Sequence, residues 1–593
     1  MKISEIEIER FKGLRNVSFS LENGLQVIAG PNNAGKTTFI SALEFFFSCE
    51  ANQVSPANFA PKNGYYENEG RRALTRLKLF FSDLSESEKT EFEEAYLPRK
   101  KGIWVEIRIS RQGLITYHAS NNVDGKKTHE KILPHFRVIH VPALRIGSDG
   151  IASTESKRLF TTIHEILVRR RPGRDSKDQA KLKGSFARVQ KLIQSVFKEG
   201  GKRARKVMPF GTELKFSVPD VAASLNAMLS LSEVITNAEG SMSIRDEGSG
   251  FQSLLALGLL DYAISGRRQR ALNDLLLIEE PEAFLHPQFQ RTVANYLSSL
   301  SAKAQVIVTT HSPIIIDSVP ISAVARLKRQ NGGLVCDWAR TELSEIEAGR
   351  LERFCDAKNS ELVFADKVIF CEGPTDARVV QALLNENDIL SNENMNISVI
   401  DMNGKQSIHH FVSLAKRFQI DFFCIVDRDF YTGDRNGLKH LLKSLAYVPP
   451  SDFYLNLDRL RDTNCTSWSG AKGVRHKACS ILNDLNCFVL SSDIEGAVLS
   501  SIKQSSLLQI LKSEDLKLIN EEVFQELAGL TGVSYYSRLF GLFGSKGWNL
   551  DRGNKNNCPK PHVMASIVGR SNGALIRDSD VSVLKKRLVS FIK

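Results

Sequence analysis

The chain has 593 residues, of which 42% are hydrophobic and 25% charged, with a formal net charge of +12. This is too long for a single hydrophobic core, so two to four domains are expected. No apolar run approaches the roughly 20 residues of a membrane span. The nine cysteines are scattered without a CxxC pair. They indicate neither zinc nor a disulfide framework, and a reduced, cytoplasmic setting fits best.

In chain order, Met1 to Ile8 alternates as a strand rather than reading as a signal peptide. Val17 to Leu21 alternates again, and Leu25 to Ala29 leads into Gly30-Pro31-Asn32-Asn33-Ala34-Gly35-Lys36-Thr37. A helix with Phe39, Ile40, Leu43, Phe46 and Phe47 on its buried side should follow. Further strands are expected at Leu77–Phe81, Trp104–Ile109 and Phe136–Val141. From Ile151 to Lys206 there are 16 Lys and Arg against 5 Asp and Glu, a local excess of +11. Nearly the whole charge surplus therefore lies in this helical stretch, which reads as a solvated face, a phosphate-backbone contact surface or a partner-binding arm. Strand and helix alternate from about 213 to 330, Leu351 to Phe364 reads as a connecting helix, and a second α/β unit opens at Lys367. Its strands are expected at Ile397–Ile400 and Phe422–Val426, and the sequence beyond about 500 is mostly helical.

The glycine-rich turn between strand and helix is a P-loop. Backbone N–H groups wrap the phosphates, and the helix N-terminus adds positive potential. Gly35 permits the tight turn, with Asn32, Asn33 and Thr38 lining it. Lys36 reaches the β/γ-phosphates, and the Thr37 hydroxyl binds Mg²⁺. Leu275 to Ile278 reads as a buried parallel strand ending in Glu279-Glu280. Carboxylates there stand where α/β sheets place ligands: Glu279 to hold Mg²⁺ through water, Glu280 to orient the attacking water. Val306 to Thr310 is a second such strand, and His311 at its end can contact the γ-phosphate.

A different chemistry is written at Phe370-Cys371-Glu372-Gly373-Pro374-Thr375-Asp376 and Val426-Asp427-Arg428-Asp429. A helical turn can bring Asp376 back beside Glu372. The spacing of two is expected to point Asp427 and Asp429 to one strand face. Carboxylates converging in a sheet cleft repel unless a divalent ion, Mg²⁺ or Mn²⁺, lies between them.

The order of P-loop, Gly248-Ser249-Gly250-Phe251-Gln252, Glu-Glu-Pro strand and His strand resembles an ABC-type ATPase head of the SMC/RecF-like branch. The resemblance implies ATP sandwiched in a homodimer or higher oligomer, with Ser249 and Gly250 acting in trans. Gln53 is the candidate for the glutamine that such heads carry. The Glu372 and Asp427/Asp429 pattern resembles the Toprim domain. An ABC head followed by Toprim resembles the OLD (overcoming lysogenisation defect) family over roughly residues 1–550, through Val141–Arg145, Glu279–Pro287, Glu372–Ala377 and Asp427–Asp429.

That resemblance implies an α/β fold: an ABC ATPase domain (1–150 and 207–350) interrupted by the basic insertion (151–206), a linker helix (351–366), a Toprim nuclease domain (367–500) and a helical region completing it (501–593). It also implies a metal-dependent DNA endonuclease or nickase of anti-phage defence. Relatives sometimes act with a companion, helicase-like or a reverse transcriptase carrying its nucleic acid. Glu495 matches a downstream metal-site acid. Lys546 matches a lysine that stabilises the transition state. Asp376 stands where many relatives have Glu. The different-class alternative is an ATP-dependent DNA clamp or sensor whose carboxylates are only structural. A topoisomerase fits less well, because Tyr431 lacks a nucleophile's context, and a primase would bring a scaffold or zinc that the sequence does not show.

Overall fold

The alternation of β1 (Lys2–Phe11) buries Ile6 and Ile8 on one face, yet Ile3, three positions before Ile6, is buried as well. A bulge between Ile3 and Glu5 resets the period, so both isoleucines reach the same core. The structure is a computed structural model. It describes residues 1–21, 24–32, 34–49, 74–110, 112–143, 233–236, 240–243, 257–258, 273–283, 285–329, 336–338, 359–385, 396–432, 436–462, 481–514, 516–543, 560–571 and 573–592. The insertion at 151–206, Asn33, Gln53, Ser249, Gly250 and Lys546 lie outside them. The chain divides into two units, Met1–Val363 and Phe364–Lys593.

In the first unit, β1 lies between β2 (Leu14–Ser20) and β4 (Thr75–Ser82), and β5 (Ile103–Ile109) and β6 (Ile115–Ala119) complete an antiparallel sheet in the order β2-β1-β4-β5-β6. A second sheet takes β3 (Leu25–Ala29), β7 (Phe136–Val141), β10 (Asn273–Glu279), β11 (Gln305–Thr310), β12 (Val324–Arg329) and the edge strand β13 (Cys336–Trp338). Its order is β13-β12-β3-β11-β10-β7, parallel except at β13. The short strands β8 (Glu233–Thr236) and β9 (Gly240–Ser243) form a separate pair. β3 and β11 are buried at every position, as central strands covered on both faces should be. Gln305 joins the two sheets: its Oε1 accepts from the Ile3 N–H (2.9 Å) and its Nε2 donates to the Ile3 carbonyl (2.7 Å). The helix Lys36–Ser48 packs Phe39, Ile40, Leu43 and Phe46 into the core between them.

In the second unit, β14 (Lys367–Cys371), β15 (Ile397–Asp401), β16 (Asp421–Val426) and β17 (Cys487–Val489) form an all-parallel sheet in the order β15-β14-β16-β17. The C-terminal helices share its core: Val563, Met564, Ile567, Leu584 and Leu588 pack with Ile369, Val380, Phe423 and Phe488. Lys367 donates to the carbonyls of Phe591 (2.6 Å) and Ile592 (2.8 Å), satisfying acceptors at the C-terminus of helix Asp580–Ile592. Of the expected connecting helix, residues 351–358 lie outside the described residues, and Asn359–Phe364 is a 3₁₀ helix.

Candidate functional site

In the first unit, register brings the expected nucleotide-binding residues to one edge. Ala29 pairs with Thr310, and Thr309 with Glu279, so β3, β11 and β10 end level. The P-loop, Glu279-Glu280 and His311 therefore emerge together at the carboxyl edge of a parallel sheet, where ligands bind in such folds. Gly35 caps the helix at φ +92°, in the left-handed region that a side chain would strain. Lys36 is buried, its ammonium donating to the carbonyls of Gly30 and Pro31 (both 3.0 Å). Asn32 and Thr37 are exposed and Thr38 is half-buried. The Thr37 hydroxyl donates to Glu279 Oε2 (2.9 Å). Glu280 sits at φ +43°, its N–H donating to the Thr309 carbonyl (2.9 Å), and its Oε1 lies 3.6 Å from His311 Nε2. Burial and the Lys36 charge lower the His311 pKa to about 4, so its ring is neutral at physiological pH.

Three residues here escaped the sequence reading. His140, at the end of β7, bridges Glu279 Oε1 (Nε2, 2.8 Å) and Glu44 Oε1 (Nδ1, 2.7 Å). Burial pushes its pKa down, but the hydrogen bonds and charges of the two carboxylates prevail and raise it to about 9. Glu282 is buried, and its Oε1 accepts from the Thr310 hydroxyl (2.8 Å) and the His311 N–H (2.6 Å), which fixes the backbone that carries His311. Glu282 lies inside the quoted Glu279–Pro287 run. His140 and Glu44 carry no local signal, because they are paired only by the packing of β7 against the P-loop helix.

In the second unit, Glu372 follows β14, and Asp376 lies in the first turn of helix Pro374–Asn385. Asp427 follows β16, and its N–H donates to Glu372 Oε2 (3.2 Å). Asp493 caps helix Ile494–Ser501 by accepting from the Gly496 N–H (2.8 Å), which places Glu495 in that helix's first turn. These groups repel one another. Burial, then the charges of Glu495 and Glu372, raises the pKa of Asp376. Burial, then Asp376, Glu372, Asp493 and Glu495, raises that of Asp427 well above the carboxylate range. Burial, with Asp429 adding to it, raises that of Glu372, although the Asp427 N–H and Lys405 oppose the shift.

Asp376 Oδ1 and Asp427 Oδ1 are buried with no hydrogen-bond partner. Buried carboxylate oxygens without a partner, in a field of like charge, are the donor set a hard divalent cation takes. Among the described residues no three His, Cys, Asp or Glu side chains already surround a common point at ligand distance. Binding an ion therefore needs these side chains to draw inward.

The expectation for Asp429 needs correction. β16 stops at Val426, and residues Asp429–Thr432 form a helical turn, so Asp427 and Asp429 do not alternate along one strand face. Asp429 is instead exposed and ion-paired with Lys405, a residue the sequence reading passed over.

Comparison with known proteins agrees with this geometry. Residues 25–317 match the family described as "AAA domain, putative AbiEii toxin, Type IV TA system". Residues 363–429 match "Overcoming lysogenization defect protein-like, TOPRIM domain". The chain is 24% identical to the OLD nuclease of Thermus scotoductus, over 73% of this chain and 83% of that protein. It is 21% identical to the Old nuclease of Escherichia phage P2, over 72% and 78%. It is 22% identical to the Endonuclease GajA of Bacillus cereus strain VD045, over 65% and 68%. The fold and sites thus define an ATPase domain joined to a Toprim domain, a pairing that uses a nucleotide and a divalent metal. The chain is similar to OLD-family proteins in its Toprim part and along most of its length.

Proposed function

We propose that this protein is an ATP-regulated, divalent-metal-dependent DNA endonuclease or nickase of anti-phage defence. The observation that carries the reading is the pair of buried, unpartnered oxygens on Asp376 and Asp427, set among Glu372, Asp493 and Glu495. What sets these two apart is the like charge around them, which raises both pKa values and which a divalent ion would relieve. Glu372, Asp376, Asp427 and Glu495 would hold Mg²⁺ or Mn²⁺, which supplies activation of water and stabilisation of the leaving oxygen of a phosphodiester. Lys546 would meet the charge that develops on the phosphate.

In the ATPase unit, Lys36 exchanges the Gly30 and Pro31 carbonyls for phosphate oxygens, and Thr37 and Glu279 stand ready for the nucleotide's metal. Neutral His311 offers one ring N–H to the γ-phosphate, and Glu280 beside it orients water. ATP would be completed by Ser249 and Gly250 of a second copy. The ATPase unit is then the regulator and the Toprim unit the cutter.

The experiment is incubation of supercoiled plasmid with Mg²⁺ or Mn²⁺, with and without ATP. Nicked or linear DNA is expected from the wild type and none from Glu372→Ala. Lys36→Ala shows whether ATP promotes or restrains cutting. Failure of the wild type to cut at any ATP level would favour the clamp or sensor reading.

A further inference from the structure

The acids of the Toprim unit do not form one set. Asp376, Glu372 and Glu495 all raise the pKa of Asp427, whereas Asp429 stands exposed and paired with a lysine. The difference lies in Lys405. Its ammonium is ion-paired with Asp429, and its charge also opposes the upward shift at Glu372, so it lies near both.

The backbone is built to place it there. The Met402 N–H donates to the Cys371 carbonyl and the Gly404 N–H to the Glu372 carbonyl (both 2.8 Å), carrying the link between β15 and β14 past the end of the strands. Asn403 at φ +55° and Gly404 at φ +113° then turn the chain sharply. Both angles favour Asn and Gly over other residues. Lys405 follows at once, with its side chain only 19% exposed, while that of Asp429 is 60% exposed. A surface ion pair would ordinarily leave the lysine in solvent. Here the lysine is the sheltered partner and the carboxylate the open one.

We propose that Lys405 is a resident cation of the nuclease site: it keeps Asp429 from ligating a metal ion and passes from Asp429 to a non-bridging oxygen of the scissile phosphate. This rests on the nuclease reading above. The site then has one carboxylate nest for a metal ion, made by Glu372, Asp376, Asp427 and Glu495. Beside it is a lysine position where a freed Asp429 would otherwise help bind a second ion. The negative phosphate replaces the Asp429 carboxylate as partner, with no change in the number of charges paired.

The test counts Mn²⁺ bound to the full-length, nucleotide-free protein by electron paramagnetic resonance, alongside plasmid nicking. Lys405→Met keeps the length of the side chain and removes the charge. It is expected to bind one more Mn²⁺ per chain than the wild type and to nick about 100-fold more slowly, the scale for losing one preorganised charge stabiliser. Lys405→Arg keeps the wild-type Mn²⁺ count. Unchanged Mn²⁺ binding in Lys405→Met, or nicking within about twofold of wild type, overturns the role of Lys405. Asp427→Asn separates the two readings. If it binds as much Mn²⁺ as the wild type, or if the wild type binds none, the carboxylate nest is not a metal site and both fall.

Discussion

At the scale of single residues, the ATPase unit turns on two histidines held in opposite protonation states. His140 gains two carboxylate partners on folding, and its pKa rises to about 9. Its contribution to stability is therefore fully present below the unfolded value near 6.5 and is lost as pH rises through about 9. His311 runs the other way: lowered to about 4, it is neutral where an unfolded histidine begins to charge, so it costs stability as pH falls below about 6.5. In the nucleotide- and metal-free protein, the ring-proton resonances of both should stay flat between pH 5.5 and 8, His140 at its charged shift and His311 at its neutral one. Melting of the first unit should become easier from pH 6.5 to 9 in the wild type, and His140→Gln should flatten that slope. A titration of His140 near pH 6.5 would show that the Glu44–His140–Glu279 bridge does not hold in solution. His140 also gives Glu279 a second partner besides Thr37, so its loss should loosen the carboxylate and raise the Mg²⁺ needed for half-maximal ATP hydrolysis.

At the scale of elements, strands were readable wherever their residues were uniformly apolar. β3, β10 and β11 are buried runs bounded by turns, and their ends name Gly30, Glu279 and His311 directly. The same reading missed β17, three residues long, because Cys487-Phe488-Val489 is too short to carry a period. It misjudged Asp429 because a spacing of two means one face only while the strand lasts, and the chain turns helical after Val426. Lys405, His140 and Glu44 were invisible for a further reason: their partners are supplied by packing, not by neighbours in sequence.

The loop after β17 shows what such packing does. The Ser491 N–H donates to Asp580 Oδ2 (2.8 Å), and the Ser491 hydroxyl bonds the same oxygen. Asp580 opens the C-terminal helix, and the Val581 N–H donates to Ser501 Oγ (3.2 Å). The last helix therefore fixes both ends of the segment that carries Asp493 and Glu495. Asp580→Ala leaves buried Ser491 donors without an acceptor and should destabilise the second unit by about 1–3 kcal/mol. It should also weaken Mn²⁺ binding, although residue 580 is not itself in the nest. Calorimetry on the full chain reads both; undiminished Mn²⁺ affinity with a lowered melting temperature would confine Asp580 to folding.

At the scale of the whole molecule, the described ATPase residues come from the P-loop, β7, β10 and β11, while the Gly248–Gln252 segment lies outside the described residues. On the reading proposed above, this segment meets the nucleotide of another copy. ATP should therefore act as part of an interface, and the state it stabilises should be the dimer for as long as the γ-phosphate survives. Glu280, at the strand end beside neutral His311, is the residue whose loss should prolong that state without removing the binding groups Lys36, Thr37 and Glu279. Glu280→Gln with ATP and Mg²⁺ is thus expected to show twice the mass of the 66.2 kDa chain by light scattering, and to return to the smaller species with ADP. Adding Ser249→Arg to that variant should abolish the shift while leaving nucleotide binding to the P-loop intact. A mass for Glu280→Gln that is the same with ATP, ADP or no nucleotide would separate assembly from the nucleotide. Control of cutting would then have to pass through the ATPase unit of a single chain.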